Sequence, residues 1–430
     1  MKVKRYILSK IIEGMPELAK KNYLDKIKIE LDWRIYHYGA HFNTPFENKL
    51  HHWTYEELKY DLKNQIILKR NQFKSKTKKK FISSIYFGKF DQYLAKLGEV
   101  HTPVWLPRGF VIDGNNSLYK KSKKINNLLG KASFNTLLKP ETASLLDEYE
   151  SDLFNYYSET DPSAVFLFTD QYYHSKVTIE VFKKINKKSF VLSHGLPGIY
   201  SKEVDNRSDY LYVWGNKIKC NYIKAGFNAE KIFVIGHPGY MTPKRIDLLR
   251  NSFENILILP KAMTWHQHTY EPAIADRGAI IVYLLSLQIV LHKFGVKSVR
   301  LRPHPSANVH WMLSFLDPSF FIADPYPQLS ESLAHTTLAI GPTSTVFLES
   351  IFNGVNYVIY EPQDDDGVDL LNYKIVPPFD GSDPEIAVAK DEYELEELLR
   401  RRHCQPNDVL SGYMSTFDEN ILKDSIHSAP

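Results

Sequence analysis

Between residues 164 and 362 the chain alternates short apolar runs with stretches of helical spacing, and each run ends at a polar residue or a Gly/Pro turn. Ala164 to Thr169 reads as a buried strand delivering Asp170 at its C-terminal end, and Ser175 to Ile185 reads as a helix. Ser189 to Ser193 is the next strand and delivers His194 and Gly195. Tyr210 to Trp214, a helix over Lys217 to Ala225 and a strand over Lys231 to Ile235 continue the pattern. The turn-rich stretch Gly236-His-Pro-Gly-Tyr-Met-Thr-Pro243 interrupts it. Alternation then restarts with a strand over Asn255 to Leu259, a long apolar helix over Gly278 to Phe294, and strands over Val299 to Leu301 and Phe320 to Ala323. A charged helix over Asp391 to Arg402 follows later. Such spacing predicts parallel βα units and an α/β fold in two halves. The break sets expected domains of 1–238 and 239–400, with a tail over 401–430.

Upstream the pattern is less regular. Tyr55, Leu58, Leu62 and Ile66 have helical spacing, Phe81 to Phe87 looks extended, Val104 to Pro107 and Phe110 to Asp113 read as strand fragments, and Glu141 to Tyr157 as an amphipathic helix. The topology of residues 1–160 does not follow from this.

One stretch reads as a complete strand, turn, helix, strand unit. Leu338, Ala339 and Ile340 are apolar, Gly341 and Pro342 break the run, and Thr343, Ser344 and Thr345 supply hydroxyls where a helix begins. Val346, Phe347, Ser350 and Ile351 follow at helical spacing, Gly354 closes the helix, and Tyr357 to Tyr360 returns as a second strand. A helix start leaves backbone N–H groups unpaired at the positive end of the macrodipole, so a Gly/Thr/Ser turn there can hold a phosphate. The same hydroxyls serve equally well as a plain N-cap. About forty residues upstream, the strand Val299 to Leu301 runs through Arg302 into Pro303, His304 and Pro305, a rigid turn that holds the histidine at the strand's C-terminal edge. Open parallel sheets bind ligands at that edge. Arg302 and His304 are thus candidates to face a phosphate held from the other side by Thr343, Ser344 and Thr345.

Composition narrows the class. With 430 residues, 43% apolar and 24% charged, the chain has material for two cored domains. Two cysteines, Cys220 and Cys404, make neither a disulfide framework nor a four-thiolate metal site, and a cytoplasmic setting is expected. Neither a signal peptide nor a run long enough to span a bilayer is visible. The net charge is only +4, but lysines bunch at Lys69 to Lys80 and Lys120 to Lys131. Such runs are most often solvated faces; the functional alternative is peripheral contact of Lys69 to Lys80 with an anionic membrane. Nucleic acid is not an expected partner, because no recognition motif accompanies the charge. GxGxxG, Walker and DxD motifs are absent. Asp364-Asp-Asp366 reads as a solvated loop, and His266 and His268 lack two further ligands for zinc. Neither a metal nor another cofactor is expected.

Arg302-Pro-His-Pro305 followed by Gly341-Pro-Thr-Ser-Thr345 resembles the HP and serine motifs of bacterial CMP-sugar glycosyltransferases, the sialyltransferases and Kdo transferases of GT-B architecture. That resemblance implies two Rossmann-like domains facing a central cleft, with His304, Pro305, Ser344 and Thr345 holding the CMP part of the donor. It implies transfer of a sialic acid or related 2-keto sugar acid from CMP to a surface glycan. Lys261, Arg302, Thr343 and Glu349 complete the candidate donor set, although a surface lysine and a helix-face glutamate are ordinary readings of Lys261 and Glu349. For the base, Asp170 is the first candidate and His194 the second; the acidic motif of sialyltransferases has only Thr169-Asp-Gln-Tyr172 as counterpart. His194-Gly195, Tyr212-Val-Trp-Gly215 and Ile235-Gly-His-Pro238 also resemble the middle of CDP-glycerol glycerophosphotransferases. A polyol-phosphate transferase and a non-catalytic carbohydrate-binding protein are the alternatives.

Overall fold

The computed structural model describes residues 80–83, 89–101, 104–106, 109–111, 116–131, 139–170, 172–200, 207–240, 248–261, 274–304, 309–367, 369–370, 374–406 and 408–428, together with Lys26, Ile27, Leu62 and Ile66. The first half runs β1 (Lys80–Ser83), α1 (Lys89–Leu97), β2 (Glu99–His101), β3 (Val104–Leu106), β4 (Gly109–Val111), α2 (Asn116–Lys131), α3 (Pro140–Thr160), β5 (Ala164–Leu167), α4 (Tyr173–Lys184), β6 (Lys188–Leu192), β7 (Tyr210–Val213), α5 (Asn216–Lys224) and β8 (Ile232–Val234). The second half runs β9 (Ile256–Ile258), α6 (Ile274–Lys293), β10 (Val299–Leu301), α7 (Val309–Leu313), β11 (Phe321–Ala323), α8 (Leu329–Ala334), β12 (Leu338–Gly341), α9 (Val346–Phe352), β13 (Tyr357–Tyr360), β14 (Val388–Ala389) and α10 (Glu392–Arg400). Two further helices, α11 (Val409–Tyr413) and α12 (Glu419–Ser428), follow.

Among the described residues the strands form two six-stranded sheets, in the orders β2-β1-β5-β6-β7-β8 and β11-β10-β9-β12-β13-β14, and an antiparallel pair β3-β4. Every pairing within the two large sheets is parallel. This is the two-part α/β architecture that the alternation predicts, with two Rossmann-like parallel sheets. Parallel strands covered by helices on both faces need apolar side chains at successive positions. Ala164 to Leu167, Leu338 to Gly341 and Tyr357 to Tyr360 are accordingly buried throughout.

The strand orders fix where ligands can enter. In the second sheet the chain starts at β9, winds outward through β10 and β11, then returns to place β12 on the other side of β9. In the first it winds from β1 to β2 and returns to place β5 beside β1. At such reversals the connections diverge to opposite faces and leave a crevice at the strands' carboxyl ends. Thr343 to Thr345 follow β12, and Asp170 follows β5, so both lie at reversal points.

The apolar core joins the halves. One cluster runs from Trp214 and Ile218 through Leu410 and Tyr413 to Phe347, Ile351 and Phe379. Residues after 400, set apart as a tail in the sequence pattern, return to the first half. Ser415 donates its N–H to the Trp214 carbonyl at 2.7 Å, Asp418 its N–H to the Ile235 carbonyl at 2.9 Å, and Tyr212 and Ser425 share a hydroxyl bond of 2.7 Å. Leu422 on α12 sits in the same cluster as Phe166, Phe190 and Tyr212.

The second lysine run is the solvated face of α2: Lys120 and Lys124 are exposed, while Leu118, Ser122 and Ile125 are buried. Lys121 pairs with Asp152 on α3 at 2.5 Å. Of the first run only Lys80 is described, so the membrane contact expected there lies outside the described residues. No helix among the described residues is long and apolar enough to cross a membrane.

Candidate active site

β5 and β6 are neighbours, with Leu167 opposite Val191, and Asp170 and His194 follow them at neighbouring strand exits. Their environments differ. Asp170 is only 3% exposed, whereas His194 is open to solvent. His194 is nonetheless closely surrounded: desolvation lowers its pKa, opposed by a hydrogen bond with the Phe168 backbone. The hydrogen bond favours the charged ring, so His194 donates there, which leaves its other ring nitrogen as an acceptor at neutral pH. The Phe168 ring meets the imidazole edge-on at 6.1 Å, and Trp214 Nε1 donates to the Ser193 carbonyl at 2.7 Å, pinning this exit.

On the second sheet, β10, β9, β12 and β13 lie side by side in register, and His304, Lys261, Thr343 and Glu361 follow them in the chain. Lys261, Thr343 and Glu361 meet directly. Gly341 is required at the end of β12, because a Cβ there would lie 2.2 Å from Tyr357 Oη and 2.6 Å from the Leu259 carbonyl. The Tyr357 hydroxyl donates to the Pro342 carbonyl at 2.8 Å. Thr343 donates both its N–H, at 2.7 Å, and its hydroxyl, at 2.6 Å, to the Glu361 carboxylate. Ser344 Oγ accepts from Val346 N at 3.3 Å, and Thr345 Oγ1 accepts from Leu196 N at 3.0 Å.

This last bond joins the two halves of the site, since Leu196 follows His194 by two residues. The fit is close: a Cβ on Gly195 would meet Thr345 Oγ1 at 2.3 Å. The three hydroxyls of the turn are therefore not equivalent. Thr343 has both donors engaged inside the fold, whereas Ser344 and Thr345 act there as acceptors, a role that does not use their O–H groups.

The remaining candidates divide in the same way. Lys261 is paired with Glu361 at 3.2 Å and with Asp369. Desolvation works against its charge, but its two carboxylate partners outweigh that and raise its pKa. Arg302 gives one nitrogen to Asp324 Oδ2 at 2.7 Å and to the Tyr326 carbonyl at 2.6 Å, and another to the Pro327 carbonyl at 2.9 Å. Both cations thus have carboxylate partners within the fold. His304 is exposed, and partial enclosure lowers its pKa. Pro305, His266 and His268 lie outside the described residues. Burial raises the Glu349 carboxyl, opposed by a hydrogen bond from the Tyr240 hydroxyl. Tyr240, in the connection between the halves, also meets the Phe352 ring at 5.1 Å. Asp365 and Asp366 are exposed, and Asp364 Oδ1 accepts from Asp366 N, as a solvated turn does. Among the described residues no group of three or more His, Cys, Asp or Glu could hold a metal ion.

Glu361, Tyr240 and Leu196 were not singled out from sequence. Glu361 carried a usable signal: it follows β13 as Asp170 follows β5, a carboxylate at the end of a wholly apolar strand. Tyr240 and the Leu196 amide carried none.

No family model matches this chain, and no curated protein matches it. Solved structures do resemble it in overall shape. They include the S. aureus MnaA–UDP co-structure (11% identity, 82% of this chain and 96% of that one, TM-score 0.49). UDP-GlcNAc 2-epimerase from Methanocaldococcus jannaschii in complex with UDP-GlcNAc and UDP is similar over 82% of this chain and 99% of that one (12% identity, TM-score 0.47). A variant of the wall teichoic acid polymerase TagF covers 88% of this chain and 98% of its own (14% identity, TM-score 0.40). At these scores, substrate and reaction rest on the residues of this chain.

Proposed function

We propose that this protein is a GT-B-type glycosyltransferase that moves a sugar acid of the sialic acid or Kdo class from a CMP donor to a glycan hydroxyl. The observation that carries this reading is the 3.0 Å bond from Leu196 N to Thr345 Oγ1, which sets the turn after β12 against the exit of β6. In this reading Ser344 and Thr345 donate their hydroxyls to the phosphate, with His304 alongside. The neutral, accessible His194 takes the acceptor proton as the acceptor oxygen bonds to the anomeric carbon. The bond from that carbon to the CMP phosphate oxygen breaks, and the charge left on CMP meets donors already in place. Asp170, buried on the adjoining exit, supplies a carboxyl group on the side of the sugar centre.

The turn itself suits a donor with one phosphate better than one with two. Beside Thr343, Lys261 faces two carboxylates, Glu361 and Asp369, while Arg300 and Arg302 share Asp324 and spend further nitrogens on the Ser332, His335, Tyr326 and Pro327 carbonyls. Hydroxyls and a neutral imidazole suit a single phosphate.

Donor hydrolysis without acceptor tests the reading. Slow release of CMP from CMP-sialic acid or CMP-Kdo is expected. Release of CMP from CDP-glycerol alone would replace it with polyol-phosphate transfer, and no turnover of any donor would leave a carbohydrate-binding protein.

A further inference from the structure

We propose that Glu361 is a specificity-determining residue that limits the turn after β12 to one phosphate by occupying, from inside the fold, the donors a second phosphate would use. This rests on the reading of that turn as the donor site. Glu361 is 3% exposed and receives both the N–H and the hydroxyl of Thr343, at 2.7 and 2.6 Å. Backbone N–H and threonine hydroxyl aimed at one point are the groups that cradle phosphate oxygens elsewhere. Here a carboxylate already fills that point, and it adds negative charge close to where a second phosphate would lie.

Its neighbours hold it there. Lys261 Nζ lies 3.2 Å from Glu361 Oε1 and also pairs with Asp369, so one cation serves two carboxylates, and with both ionised the cluster carries a net negative charge. The Tyr357 hydroxyl fixes the Pro342 carbonyl one residue before Thr343, so the turn cannot swing away from Glu361 without losing a buried bond. Ser344 and Thr345 lie beyond the reach of this arrangement and remain the phosphate donors.

The test is calorimetric titration of the full-length protein with CMP and with CDP at two pH values, about 7 and about 8.5, because burial raises the Glu361 carboxyl and a higher pH favours its charged form. The variant is Glu361→Gln, in which Lys261 keeps Asp369 as partner. Wild type is expected to prefer CMP, and Glu361→Gln to shift the CDP-to-CMP affinity ratio toward CDP by about tenfold or more, since a unit charge a few ångströms away is removed. Asp369→Asn removes charge from the same cluster without touching Thr343; it is expected to shift the ratio the same way by less, and it keeps the test open should Glu361→Gln fail to fold. An unchanged ratio in a folded variant of a protein that binds CMP overturns the inference and leaves the donor site standing. A wild type that binds neither nucleotide overturns both.

Discussion

His194→Ala is expected to lower turnover by about a hundredfold or more with CMP affinity nearly unchanged, because it removes a proton acceptor and touches no group assigned to the nucleotide. The pH dependence gives the sign. Desolvation holds the His194 pKa below 6.5, so the base form predominates at neutral pH, and kcat/KM should fall only as pH drops through that lowered value. An acidic limb centred above pH 7 would exclude His194 as the base. Asp170→Asn provides the contrast. Asp170 is buried, so if it stabilises charge without meeting the acceptor, its loss should depress turnover while the acidic limb set by His194 persists. If His194→Ala keeps near-normal turnover and Asp170→Asn does not, the roles are reversed.

The second large effect is expected from Gly195→Ala. A Cβ at 2.3 Å from Thr345 Oγ1 is far inside van der Waals contact, so either the turn or the β6 exit must move. Overpacking of this kind costs about 1–3 kcal/mol, and displacement of a donor site by about 1 Å can cost on the order of a hundredfold in rate. Adding Thr345→Ala removes the clashing oxygen, so the double variant should recover stability that the sum of the single variants would deny it, with a coupling of about 1 kcal/mol or more. Thermal melts of the four proteins check this. Additive stabilities, or a Gly195→Ala protein with wild-type melting and turnover, would mean that the two exits are not held together as described.

How much of this was legible in sequence depends on the range of the interaction. Ala164 to Leu167, Leu338 to Gly341 and Tyr357 to Tyr360 were readable because a strand buried on both faces needs apolar residues in succession, a local requirement. The turn at Gly341 to Thr345 was readable for a similar reason. The partners of its hydroxyls were not. Thr343 meets Glu361 eighteen residues on, and Thr345 meets an amide 149 residues away, whose N–H looks the same at every position of the sequence. Arg302 suits a phosphate by its type and its place at a strand exit, and Lys261 reads either as a further cation there or as a surface lysine. Asp324 and Asp369, which engage them, lie on other elements. The residues after 400 looked like a tail because α12 finds its partners Tyr212 and Ile235 about two hundred residues back.

The central claim is that Ser344 and Thr345 hold the phosphate of a nucleotide opposite His194. The most direct measurement is titration of CMP into wild type and into Ser344→Ala/Thr345→Ala, with melting temperatures as the control for folding. Each hydroxyl bond to a charged oxygen contributes roughly 1.5–3 kcal/mol, so the double variant should bind CMP at least about tenfold more weakly while melting within a few degrees of wild type. Equal CMP affinity in the two folded proteins would contradict the claim.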